Sequence, residues 1–128
     1  MARHTTLYSD CLLDHFENPR NAGRVDAPDA VGTTGNAACG DRVELSLKVR
    51  DGRIEQARFR ASGCTAAIAA ASMTTVLLQG KTLAEAAAIT DAQVAEALGG
   101  LPPAKVHCSI LAQEVIHAAL VDQRSRAG

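Results

Sequence analysis

Three short stretches carry the side chains that could do chemistry: Ala38-Cys39-Gly40-Asp41, Ser62-Gly63-Cys64-Thr65 and Val106-His107-Cys108-Ser109. Together they hold three of the four cysteines, one of the four histidines and a carboxylate. Thiolate, imidazole and carboxylate are the usual ligands of transition metals, and soft thiolates select zinc, copper(I) or iron–sulfur clusters. Each of these cysteines has a small neighbour (Gly40, Gly63 or Ser109), which leaves room for a bulky ligand. No two of them form a CxxC knuckle, so the fold must bring three distant segments together.

Size and composition bound the frame that does this. A chain of 128 residues suits a single domain, residues 1–128, with a real core. Thirteen basic residues against 14 acidic ones argue against a dedicated nucleic-acid binder. With aromatics at 2% there is no stacking platform for bases either. No run reaches the ~18 apolar residues of a membrane span, and the N-terminus lacks the apolar core of a signal peptide. A cytoplasmic location is the expectation, and there thiols stay reduced. Four cysteines in that setting read as metal ligands or reactive thiols rather than as two disulfides.

Taken in order, Leu7-Tyr8, Cys11-Leu12 and His15-Phe16 recur at helical spacing, and Asn18-Pro19 closes this first helix. Residues 19–37 read as loop, with a short edge strand over Ala30 to Thr34. Val43, Leu45, Leu47 and Val49 then alternate with polar residues as a half-buried strand. Asp51-Gly52 is a two-residue hairpin turn of the primed type. The return strand, Arg53 to Ala61, has Ala57, Phe59 and Ala61 in one phase and Ile54 in the other, so a bulge is expected near Glu55-Gln56. Extending the parity of Val43 backwards puts Asp41 and Cys39 on the core side. An alanine-rich helix runs from Ala66 through Leu78 to a stop at Gly80. Thr82–Glu85 and Thr90–Gln93 fit capping boxes that open two short helices. Gly99 to Pro103 forces an extended break. A last helix follows His107, with Ile110, Leu111, Val115, Ala118 and Ala119 as its apolar stripe, and Arg124 onward is expected to fray. The class is α+β: a small antiparallel sheet of about three strands packed against several helices.

Cys64 and Cys108 both fall at the expected start of a helix, where free N–H groups and the helix dipole favour thiolate. Three thiolates with His107 or Asp41 make four ligands, enough for zinc or for the two irons of a [2Fe-2S] cluster. Plainer readings apply elsewhere. Cys11 reads as a buried small hydrophobe. His4, His15 and His117 read as solvated or satisfied, and Arg42, Lys48, Arg50, Arg58 and Arg60 as a solvated sheet face. Asp41 has a plainer reading too, as a turn residue, and His107 as a polar helix start.

These motifs resemble the IscU/NifU N-terminal family of iron–sulfur cluster assembly scaffolds. The resemblance rests on Ala-Cys-Gly-Asp at 38–41, Gly63-Cys64 followed by Ala67-Ile68-Ala69, and the run from Leu101 to Ser109. His15-Phe16-Glu17-Asn18-Pro19-Arg20-Asn21-Ala22-Gly23 adds to it. The resemblance implies that Cys39, Cys64 and Cys108 are the cluster thiolates, with Asp41 and His107 as the remaining polar residues, able to exchange as ligands. It implies a scaffold rather than an enzyme. A cysteine desulfurase would deliver persulfide sulfur onto Cys108, with iron and with electrons from a ferredoxin, and the [2Fe-2S] cluster would pass to apo iron–sulfur proteins. Zinc would suit the same ligands in the purified protein. Leu101, Pro102, Pro103, Ala104 and Lys105 resemble the segment that Hsp70 and J-type chaperones grip in this family. The chain departs from the family at Thr65, Ala66, Ala70 and Ala71, where serines are frequent, and at Ala104, where a valine is common. A zinc-dependent sulfur acceptor of the SufU type is the nearest alternative, but that branch carries an insertion between the second and third cysteines and lacks the histidine. A Cys–His hydrolase is a more distant rival, since adjacent His107 and Cys108 would point in different directions on a helix.

Overall fold

The hairpin turn organises the sheet. Asp51 and Gly52 both take positive φ, 54° and 74°, the pair of left-handed residues that a type I′ turn requires. The turn joins β2 (Asp41–Arg50) to β3 (Arg53–Ser62), antiparallel from Arg50↔Arg53 to Arg42↔Ser62. The register shifts once: Lys48 faces Gln56 whereas Val49 faces Ile54, leaving Glu55 as the extra residue. That bulge is what lets Ile54, from one phase, and Ala57 and Phe59, from the other, all reach the core. β1 (Ala30–Asn36) pairs with the other side of β2, giving the order β1-β2-β3. It is the expected edge strand, extended two residues past Thr34. The computed structural model describes residues 8–36, 40–101 and 110–127.

Five helices complete the described residues. α1 (Asp10–Glu17) is capped by Ser9, whose Oγ accepts from the Leu12 N–H, and stops at Asn18 ahead of Pro19. α2 (Thr65–Leu78) is buried on almost every side, and this is why its sequence is mostly alanine: small side chains let sheet and helices close on it from several directions. α3 (Leu83–Ala87) and α4 (Asp91–Ala97) each open with a complete capping box, Thr82 with Glu85 and Thr90 with Gln93. α5 (Ala112–Ala127) lies across β1. The approach is so close that a Cβ on Gly32 would sit 2.8 Å from the Val115 carbonyl oxygen. The core fills the space between one sheet face (Val43, Leu45, Leu47, Phe59) and α2 with α5, while α1 packs on α2.

Four expectations need correction. Cys11 is exposed, because Leu12 and His15 turn the inward side of α1 to the core. Ile110 and Leu111 are buried but precede the first helical residue of α5, whose inward stripe continues instead through Val115, Ile116, Ala119 and Leu120. The C-terminal tail is helical through Ala127. Arg126 there pairs with Asp122 at 2.8 Å and donates to the Pro28 carbonyl at 3.0 Å, while Asp122 accepts from the Val31 N–H at 2.8 Å. Ser46, in the outward phase of β2, is 1% exposed, because the loop carrying Val25 crosses that face and the Val25 N–H donates to its Oγ at 3.0 Å.

A polar knot ties α1 and the following loop to α2. The His15 Nδ1 lies 2.8 Å from the Ser72 Oγ, which also accepts from the Arg20 N–H at 2.8 Å, and Asn21 donates to the Thr75 Oγ1 at 3.1 Å. The Ser72 hydroxyl thus serves the His15 ring and the Arg20 backbone together. Burial holds the His15 pKa below its ordinary value, the positive charge of Arg20 adds to this and Asp14 opposes it. The native state therefore resists a proton that the unfolded chain accepts. Stability is unaffected by this group above its unfolded pKa of about 6.5 and declines as pH falls below it. His15→Asn, which keeps a hydrogen-bonding group in place of Nδ1, should flatten that decline. Urea midpoints of both proteins between pH 5 and 8 check this, and parallel curves would contradict it.

Candidate metal centre

Asp41 is the first residue of β2 and Cys64 stands immediately before α2, so each lies where one element ends and the site can begin. As expected from the parity of Val43, Asp41 faces the core side and is only 3% exposed. A buried carboxylate needs partners, and it takes them from the segment leading into α2. The Cys64 N–H donates to the Asp41 Oδ1 at 2.9 Å, and the Cys64 Sγ lies 3.7 Å from the Oδ2. Gly63 makes the approach feasible. Its φ is +131°, and a Cβ there would fall 2.8 Å from the Asp41 Cα and run into the carboxylate oxygen. The Cys64 thiol makes no capping bond to α2 and is half-buried.

Beside this corner runs a narrow apolar crevice with room for about 10 Å³, roughly one water. Val43, Ala67 and Leu111 are among the residues lining it. Val43 is two residues after Asp41, Ala67 three after Cys64, and Leu111 three after Cys108. The chain that follows the third motif therefore packs against the chain that follows the first two.

Of the expected site residues, the structure brings together Asp41 and Cys64. Cys39, His107 and Cys108 lie outside the described residues, as do Pro102, Pro103, Ala104 and Lys105 of the chaperone segment. Leu101 is described and half-buried against the core. Among the described residues no group of three or more His, Cys, Asp or Glu side chains gathers. The residue that sequence reasoning undervalued is Gly63. Its smallness makes room for the Asp41 carboxylate, and the signal was a glycine directly before a ligand-type cysteine.

On the opposite sheet face the basic residues are largely solvated, as expected. Arg60 and Arg24 reach the Glu44 Oε1 at 3.1 and 3.6 Å, Arg50 reaches Glu55 at 3.7 Å, and Arg42 and Arg58 are exposed. Pairs this exposed contribute about 1 kcal/mol or less each.

Residues 7–128 match the family model described as the NifU-like N terminal domain. The chain belongs to that family. It is 51% identical over 122 residues to the iron–sulfur cluster assembly scaffold protein IscU 1 of Archaeoglobus fulgidus, covering 95% of this chain and 80% of that protein. To the iron–sulfur cluster assembly scaffold protein IscU of Haemophilus influenzae it is 49% identical over 125 residues, 94% of this chain and 98% of the relative. In fold this NifU-like domain is similar to a nitrogen-fixing NifU-like protein (N-terminal) from Brucella abortus, with a TM-score of 0.73 at 22% identity, covering 93% and 95% of the two chains. The three-stranded antiparallel sheet with its surrounding helices is thus the α+β architecture of this family. Among the described residues no helix is long and apolar enough to cross a membrane.

Exposure separates the two described thiols. With iodoacetamide on the metal-free protein, Cys11 should be alkylated several-fold faster than Cys64. Peptide mapping by mass spectrometry checks this, and Cys64 reacting at the rate of Cys11 would contradict the geometry at Asp41.

Proposed function

We propose that this domain is a scaffold on which iron–sulfur clusters are assembled and from which they are handed on. The observation that carries the reading is the meeting of Asp41 and Cys64, two residues of the family's motifs, at a corner shared by the starts of β2 and α2. Relatives about half identical along nearly the whole chain, named as scaffold proteins and not as enzymes, support it. So does the reach of the chain. Cys39 is two residues before Asp41 and Cys108 three before Leu111, and extended backbone spans at most about 3.5 Å per residue.

In this reading Cys39, Cys64 and Cys108 are the thiolates that hold a [2Fe-2S] cluster as cargo, and Asp41 and His107 complete the site. The Cys108 thiolate attacks the outer sulfur of a persulfide on a cysteine desulfurase, and the donor leaves as thiolate. Electrons from a ferredoxin then reduce that sulfur to sulfide as iron binds. Leu101, Pro102, Pro103, Ala104 and Lys105 form the grip for Hsp70 and J-type chaperones, and apo iron–sulfur proteins receive the cluster. These events belong in the cytoplasm, where the thiols stay reduced. Aerobically purified protein holds about one zinc on the same ligands, since thiolates and an imidazole suit tetrahedral zinc.

Asp41 supplies lability. A carboxylate is a hard donor, poorly matched to thiolate-bound iron, and it gives an acceptor a ligand to displace. Anaerobic reconstitution with iron, cysteine and a desulfurase, followed by absorption spectroscopy, tests the function, and a protein that develops no cluster absorption would overturn it. Asp41→Ala should still assemble a cluster and lose it several-fold more slowly to a chelator or to an apo-ferredoxin. Cys108→Ala should take up no sulfur.

A further inference from the structure

The two oxygens of Asp41 are not equivalent in their surroundings. One, Oδ1, accepts the Cys64 N–H at 2.9 Å, and the other, Oδ2, faces the Cys64 Sγ at 3.7 Å. Cys64 is the N-cap residue of α2, and its own N–H is one that a capping box satisfies with an acid three residues further on. In α2 that third residue is Ala67, which has no acceptor, and the first turn holds no acidic side chain. Asp41, from the end of a strand 23 residues earlier, fills the place of the missing acid. Its negative charge also suits the positive end of the helix. The helices α3 and α4 show the local solution, with Glu85 and Gln93 closing their own boxes.

We infer that Asp41 divides its work between its oxygens: one is a structural cap that fastens β2 to the start of α2, and only the other is available to a metal. Gly63 is the positioning residue for this arrangement. Its absent Cβ leaves the space the carboxylate occupies, and its φ of +131° brings the Cys64 N–H round to meet it. Asp41 therefore binds a metal through one oxygen at a time, and the cap holds the carboxylate in place when the metal leaves. The metal half of the inference rests on the scaffold reading, while the cap half does not.

Two substitutions at Asp41 separate the roles. Asp41→Asn keeps a carbonyl oxygen that can accept the Cys64 N–H but replaces the metal-facing oxygen with an amide nitrogen, and Asp41→Ala removes both. Hydrogen exchange of the Cys64 amide, followed by NMR on the metal-free protein, reads the cap. Asp41→Asn should stay within about threefold of wild type, while Asp41→Ala and Gly63→Ala should each lose roughly tenfold in protection, the usual effect of a lost cap bond. Cluster loss to a chelator reads the second oxygen, and there Asp41→Asn and Asp41→Ala should both be slowed several-fold. Wild-type protection in Asp41→Ala, or a loss in Asp41→Asn equal to that in Asp41→Ala, would overturn the division of roles. So would cluster loss from Asp41→Asn at the wild-type rate. A wild-type protein that takes up no cluster would sink the scaffold reading and with it the metal half, while the exchange data would still decide the cap.

Discussion

A buried carboxylate cannot be left without partners, and in this fold that requirement joins the sheet to its longest-buried helix. Asp41 is 3% exposed, and its carboxylate meets the backbone of Cys64 at the head of α2. Satisfying it decides where α2 begins relative to β2, and so decides that Cys64 stands beside the start of β2. Gly63 is the condition for that contact, because any side chain there would occupy the carboxylate's place. The rest of the core supports the junction from below: Val43 and Ala67, inward residues near the start of each element, line the same crevice as Leu111. The positions of Asp41 and Cys64 follow from core packing and the hydrogen bond between them.

Local signals were legible because local physics sets them. The Asp51-Gly52 turn, the bulge at Glu55, the capping boxes at Thr82 and Thr90 and the stop at Pro19 each depend on a few adjacent residues, and all stand as read. What escaped was set by partners far along the chain. Cys11 and Leu12 look alike in a helical pattern, and only the docking of α1 on α2, with His15 against Ser72, decides which turns inward. The last helix looked frayed because its anchors, the Pro28 carbonyl and the Val31 N–H, lie some ninety residues away. In the candidate site, the parity that buried Asp41 could be counted off the strand. The bond that parity leads to, across 23 residues to Cys64, could not.

A scaffold has to hold a cluster firmly enough to build it and loosely enough to give it up. Elements that end at a common corner suit that demand better than ligands set along one rigid helix. Asp41 belongs to a ten-residue strand and Cys64 to the head of a fourteen-residue helix, so these two are well anchored. In the proposed reading, softness at such a site comes from ligand chemistry, above all from a carboxylate that keeps a second use within the fold when it lets a metal go.

In the proposed site Cys39, Cys64 and Cys108 bind a metal together while Cys11 does not, and cadmium-113 NMR can read out those ligands. Cadmium is a thiophilic stand-in for the natural metal, and its scalar couplings to cysteine β-protons name the ligands one by one. One equivalent of cadmium should give a single resonance in the range of sites rich in thiolate, coupled to the β-protons of Cys39, Cys64 and Cys108. Coupling to Cys64 alone, or any coupling to Cys11, would rule out the shared three-thiolate site.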